Sequence, residues 1–395
     1  MLRPYPAARA EPLHPPPEYA RWRAEAPATR IVLPSGCPAW LVTRYDDVRR
    51  LLRDPRLSSD STRDGYPRFG AAVETPPLNR TFIGLDDPEH GRLRRLLAAE
   101  FAPAAVRRLG PAVDAIADEC ATALGRGRAP ADLVSGYALP VSSRVICRVL
   151  GVPYRLHDEF EHLTEVLTDG ARPEPAKRAA GTAIASLLHG LVRERAARPR
   201  DDLISRLMSG PVAAGELSEP DAVYNLALLL GAGHDTTASQ LALSAYSLLG
   251  DEAERARLAA GGTLDRTAVD ELLRFHSIIQ LGVARVATAD VTVGGQVVRA
   301  GEGLVLSLPA ANRDPGRFDR PDRLDLRRAD AGRHVAFGFG AHQCIGHLLA
   351  RVTLESALSR LFHRLPGLRL TTVPGEPQIK ESMDFHGLRQ LPVTW

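Results

Sequence analysis

The chain is poor in lysine, in cysteine and in aromatic side chains. Lys177 and Lys380 are its only lysines, a bias that reads as codon usage and not as chemistry. With 50 basic against 47 acidic residues the formal net charge is +3. So small an excess excludes the broadly basic surface of a general nucleic-acid binder, although it leaves room for a local basic patch. Cys37, Cys120, Cys147 and Cys344 form no CxxC pair. That excludes the usual zinc spacings and a small disulfide framework, and favours reduced thiols in a cytosol. No uninterrupted apolar run reaches the ~18 residues of a membrane span, and the start, "MLRPYPAARAEPLHPPPEYARW", lacks the apolar core of a signal peptide. The expectation is a cytoplasmic protein without a membrane segment. Also missing are a nicotinamide-binding glycine motif, a flavin domain and an iron-sulfur cysteine set, so any electrons it uses must come from a separate partner.

What is present suits one large core: 44% of the 395 residues are hydrophobic. "TRIVLP" and "AWLVTRY", separated by "SGCP", predict a hairpin. From about 90 to 275 apolar residues recur at three- and four-residue spacing, broken by "GRGRAPAD" and "GARPEPAKR", which predicts helices. β-prone pieces return at "VTVGGQVV" and "GLVLSL", and a last helix should run to about 363. Neither a repeat nor a linker interrupts this, so residues 1–395 read as a single mainly α domain with small β-sheets.

One of the few cysteines lies in "FGFGAHQCIG", residues 337–346. Gly338, Gly340 and Gly346 permit a tight loop whose amides turn toward the sulfur. Ile345, Leu348, Leu349 and Val352 follow at the spacing of an amphipathic helix, which puts Cys344 at a helix N-terminus. There the free amides and the dipole favour thiolate and should pull the pKa below about 8.5. Such a sulfur can attack a substrate or bind a metal; the other reading is a structural cysteine buried in a turn.

A second segment, "LALLLGAGHDTTASQLALSAYSLL", is apolar on nearly every side and must be buried. Ser218 should cap it with Asp221 three residues on, giving a helix from about 219 to 249. Its middle carries Gly231, Gly233, His234, Asp235, Thr236 and Thr237. Hydroxyls there compete for backbone carbonyls and can open a small polar groove, unless the small residues merely pack against a neighbouring helix. In "DELLRF", Glu271 and Arg274 share a helical face and can pair. His90 and Arg94 in "LDDPEHGRLRRLLAAEF" likewise share a face, on a helix begun near Pro88.

These segments, in this order over roughly residues 40–395, resemble the bacterial cytochromes P-450. "FGFGAHQCIG" matches every fixed position of the family's loop Phe-Gly-x-Gly-x-His-x-Cys-x-Gly. The resemblance implies haem b held between a long central helix and the cysteine-loop helix. Cys344 would be the proximal iron ligand, in a loop with Phe337, His342 and Gly346. His90, Arg94, Arg285 and His342 would bond haem propionates; His334 fits the family pattern or simply packs. Asp235 and Thr236 would relay protons for oxygen activation, Thr236 through a water. Glu271, Arg274 and Arg323 would form a core network behind the haem, with Leu324 where phenylalanine is common. Leu228, Ala232, Gln280, Leu281 and Met383 would line the substrate pocket; the Gln280 amide bonds either a polar substrate group or nearby backbone. "DGYPRFGAAVETPPLNRTF" and "DGARPEPAKRAAG" would cover the entrance.

The implied activity is that of a monooxygenase that hydroxylates or epoxidises a small organic molecule in bacterial secondary metabolism. Oxidative coupling or desaturation without oxygen insertion is the alternative, and a catalytically silent member that recruits a partner is a third reading. A ferredoxin with its reductase would supply two electrons, docking where the cysteine loop is nearest the surface; Arg92, Arg95 and Arg351 either form a basic patch for it or are simply solvated helix faces.

Overall fold

The structure, a computed structural model, describes residues 3–69, 80–169, 172–371, 378–380 and 385–395. It is mainly helical with small sheets, and the expected segments fall where their patterns placed them. The hairpin pairs Ala28–Val32 with Pro38–Val42 antiparallel. It joins a six-stranded sheet in the order Arg3–Pro4, Ala28–Val32, Pro38–Val42, Gly303–Leu306, Val283–Ala287, Leu57–Ser58. "VTVGGQVV" forms a smaller hairpin, Val291–Val293 with Gln296–Val298. The two Pro/Gly breaks separate helices as anticipated: Pro103–Arg126 ends before "RAPAD", and Glu174–Ala197 begins inside "RPEPAKR".

The central helix spans Glu219–Gly250, 32 residues, or about 48 Å at 1.5 Å per residue. Ser218 caps it as expected, its Oγ accepting the Asp221 N–H at 3.2 Å. Two apolar clusters grip its halves. One holds Ala222, Val223, Leu226, Leu229 and Leu230; the other holds Ala238, Leu241–Leu243, Ala245, Tyr246, Leu248 and Leu249. The Gly231–Thr237 stretch belongs to neither cluster. The polar middle thus falls between the two clusters, with Gly233 against Ile146 and with His234 and Asp235 buried.

The groove expected there takes a different form, because the helix runs through 231–237 without interruption. Hydroxyls nevertheless engage three successive carbonyls: Thr236 Oγ1 donates to Ala232 O at 2.5 Å, and Ser142 Oγ donates to Gly233 O at 3.0 Å and His234 O at 2.5 Å. A Cβ on Gly233 would come within 2.7 Å of Ile146, so glycine is required for this close approach. Leu228, Ala232 and Thr236, each four residues apart, form one stripe. Leu228 and Thr236 are only half-buried and Ala232 is exposed, although residues on both sides of the helix are buried.

Candidate active site

Cys344 precedes the helix His347–Arg364, whose cap is Gly346. The loop is closed by Cys344 N–H to Phe337 O at 2.9 Å and Gly338 N–H to Val335 O at 2.8 Å. Gly340 has φ +80°, and a Cβ there would meet Leu52 O at 2.8 Å, so this position needs glycine twice over. Ile345, Leu348, Leu349 and Val352 pack on the cluster that grips the first half of the central helix, as their spacing predicts.

Cys344 has accessible surface. Even so, burial pushes its thiol up from the ordinary value, against the lowering effects of the Gly346 N–H, Arg94 and Arg351. This reverses the expected depression. The helix begins three residues after the sulfur, and the surrounding protein outweighs the amides and the two cations. A sulfur that is both accessible and densely surrounded faces an interior space, not bulk water.

Around it the structure gathers the expected polar residues. His90 is 2% exposed, and its Nδ1 meets Asp87 Oδ1 at 3.2 Å. Its Nε2 is buried with no partner among the described residues. The His90 and His342 rings lie 3.9 Å apart, and Ser59 Oγ contacts His342 Nε2 at 3.1 Å. Burial, then Arg285, holds the His342 imidazole down at about 3, so it is neutral. Arg94 Nη2 donates to Gln343 O at 2.6 Å, which ties its helix to the loop. Arg285, on the strand Val283–Ala287, is 7% exposed and donates to the Ala284 carbonyl at 2.7 Å. Burial lowers the pKa of this guanidinium. With Nδ1 facing the Asp87 carboxylate, the neutral His90 presents Nε2 as an acceptor, so it is the sparsely satisfied Arg285 guanidinium that fits a group bringing carboxylates of its own. Among the described residues no three His, Cys, Asp or Glu side chains converge as a metal site, so a metal held here would need ligands beyond Cys344.

Other residues depart from expectation. Glu271 and Arg274 form the predicted pair, fully buried, with contacts of 2.7 and 2.9 Å. The second arginine, however, is Arg328, whose Nε donates to Glu271 Oε2 at 3.0 Å. Arg323 is exposed and supplies only its carbonyl, to Arg274 and Arg328. The assignment of Arg323 is therefore corrected. The chain turns between 320 and 328, and five residues later an arginine points inward.

Asp235 Oδ1 is paired with Lys380 Nζ at 2.6 Å, and its Oδ2 is buried without a partner among the described residues. Sequence reasoning missed Lys380 altogether. It precedes a short gap in the described residues and is brought in by the strand pair Gln378–Ile379 with Leu388–Gln390. The Gln280 Oε1 accepts from Arg9 Nε at 3.1 Å, and its backbone carbonyl takes the Tyr5 hydroxyl at 3.4 Å. Its amide oxygen is thus engaged by the N-terminal segment, an option not anticipated. Leu281 is half-buried beside it. Met383 and much of "DGYPRFGAAVETPPLNRTF" lie outside the described residues. The basic patch does not form as expected: Arg95 is exposed and Arg92 pairs with Glu89 at 2.8 Å, but Arg351 is 7% exposed and tied to Asp270. His334 bonds the same Asp270.

Comparison with known proteins decides the lineage. Residues 264–386 match the family model "Cytochrome P450". Cytochrome P450-SU2 of Streptomyces griseolus is 44% identical over 99% of this chain and 96% of its own length. The chain belongs to the cytochrome P450 family. Pentalenic acid synthase of Streptomyces avermitilis is 41% identical, covering 99% of this chain and 97% of that one. The crystal structure of mycinamicin VIII C21 methyl hydroxylase from Micromonospora griseorubida, bound to mycinamicin VIII, superposes with a TM-score of 0.93 at 37% identity over the whole of both chains. This cytochrome P450 is accordingly a monooxygenase of the haem-thiolate type with the mainly α fold of its relatives. Among its described residues no helix is long and apolar enough to cross a membrane.

Proposed function

We propose that this cytochrome P450 uses Cys344 as the iron ligand of haem b and inserts oxygen into a small organic substrate of bacterial secondary metabolism, by hydroxylation or epoxidation. The observation that carries the reading is the underused buried Arg285 guanidinium beside the cysteine loop; the unpartnered His90 Nε2 becomes a donor only once the imidazole takes up a second proton beside a propionate. With Arg94 and the neutral His342 they would hold the two propionates. Bound through an anionic sulfur, haem supplies the activation and cleavage of dioxygen.

This chain's own residues supply the rest. Phe337 and Gly346 fix the loop through the Cys344 N–H and the helix cap. Leu228, Ala232 and Thr236 offer the open stripe of the central helix to a substrate, with Gln280 and Leu281 as further wall. Thr236 and Asp235 would pass protons inward, Asp235 through its unpartnered Oδ2 while Oδ1 keeps the Lys380 ammonium. Electrons would arrive from a ferredoxin and its reductase. One relative is named a monooxygenase, "20-oxo-5-O-mycaminosyltylactone 23-monooxygenase", and another a hydroxylase, "Mycinamicin VIII C21 methyl hydroxylase", and this favours oxygen insertion here.

The test is spectroscopic. The reduced carbon-monoxide complex should show thiolate ligation, and Cys344→Ser should abolish it; an unchanged spectrum refutes the ligand assignment. Label from dioxygen should enter the product, whereas coupling or desaturation would leave the product unlabelled.

A further inference from the structure

Behind the cysteine loop lies a buried polar cluster that the proposed mechanism does not use. Asp270, His334 and Arg351 are 4%, 8% and 7% exposed. Asp270 Oδ1 accepts from Arg351 Nε at 2.5 Å and faces His334 Nε2 at 3.2 Å, while its Oδ2 accepts from Arg266 Nε at 2.9 Å. The Ala336 N–H donates to His334 Nδ1 at 3.0 Å. Nδ1 therefore lacks a proton, and neutral His334 donates from Nε2 to Asp270. Arg351 Nη1 lies 2.9 Å from His347 Nδ1, which must likewise be an acceptor. With both imidazoles neutral, the interior of the cluster holds one carboxylate and one guanidinium. That guanidinium sits 4.6 Å from the centre of the Phe337 ring, which His334 and His347 flank at 5.7 and 6.1 Å. The Phe337 carbonyl in turn accepts the Cys344 N–H.

We infer that Asp270 and Arg351 are a positioning pair that fixes Phe337 and the cysteine loop and whose opposite charges, beside that of Arg94, act on the Cys344 sulfur. The inference rests on the reading of Cys344 as the iron ligand. Three physical effects combine. A cation over a ring face restrains that ring, more strongly when desolvated. A buried hydrogen-bonded network is stiff, here even though Arg351 Nη2, 3.3 Å from the protonated His334 Nε2, gains no acceptor there. A charge in a low-dielectric interior acts on its neighbours with little screening. Burial would raise the Asp270 carboxyl, but the hydrogen bonds from His334 and Arg351 outweigh it and hold it well below the usual range, so the carboxylate stays charged.

The experiment measures the haem reduction potential and the rate of haem loss in Arg351→Gln, Arg351→Lys and Asp270→Asn. Removing the cation should lower the potential and removing the anion should raise it, because reduction adds negative charge at the iron. Arg351→Lys should keep the potential near that of the parent yet lose haem faster, with retention weakened about 10- to 100-fold as for other residues that orient a metal ligand. Shifts of the same sign in the Arg351→Gln and Asp270→Asn variants, or no shift beside a fall in thermal stability, would overturn the inference and leave the cluster purely structural. If Arg351→Gln does not fold, the upward shift in Asp270→Asn decides alone. A parent protein without thiolate ligation would instead refute the underlying reading.

Discussion

Alanine at Arg328 should destabilise the fold far more than alanine at Arg323, although the two lie five residues apart on one irregular segment. Arg328 is 8% exposed. Its Nε donates to Glu271 at 3.0 Å, its Nη1 to Asp319 O at 2.7 Å, and its Nη2 to Arg323 O at 3.1 Å and Arg320 O at 3.3 Å. Breaking a buried ion pair from one side costs about 3–5 kcal/mol. Glu271 would keep both Arg274 contacts and the Asp325 N–H at 2.9 Å, so the loss should fall near the low end, about 3 kcal/mol. Arg323 contributes a carbonyl that alanine retains, and its replacement should stay within about 0.5 kcal/mol. Urea unfolding of both variants, without haem so that cofactor release does not distort the transition, reads the difference as a shift in midpoint. An Arg323→Ala loss equal to or larger than that of Arg328→Ala would refute the buried geometry.

Thr236→Ala should divert reducing equivalents to hydrogen peroxide, measured as peroxide formed per electron consumed; full coupling to product would argue against a proton role for this hydroxyl. The pH dependence of stability should carry the signature of His386, whose imidazole is pushed down by burial, and then by Arg9, to about 3. The unfolded histidine binds a proton below about 6.5 while the native one refuses it, so stability is full above that pH and is lost as pH falls toward 3, by about 1.4 kcal/mol per pH unit. His386→Gln should remove one proton's worth of that slope between pH 6 and 4. An unchanged slope would mean that His386 is not the group responsible.

How much was legible depended on whether neighbours in sequence or neighbours in space set the property. The central helix was readable to within a residue because Ser218 and Asp221 cap it locally. The cysteine loop was readable because Gly340 answers a steric demand that glycine alone meets. Arg328 was missed because a turn between 320 and 328 decides which arginine points inward, and spacing does not encode the turn. The direction of the Cys344 shift was missed because local amides favour thiolate while desolvation comes from segments far along the chain. Arg351 read as surface for the same reason: the Asp270 that buries it lies 81 positions earlier. Lys380 left no local signal, since its carboxylate partner is 145 residues away.

The brace from Arg9 and Tyr5 to Gln280 has a practical corollary for engineering. The turn at 278–281 is not a self-contained module, because its shape is held from a segment some 270 residues upstream. Grafting that turn alone into a relative would transplant the letters without their scaffold; the donor's residues 5–14 would have to travel with it for the turn to keep its form.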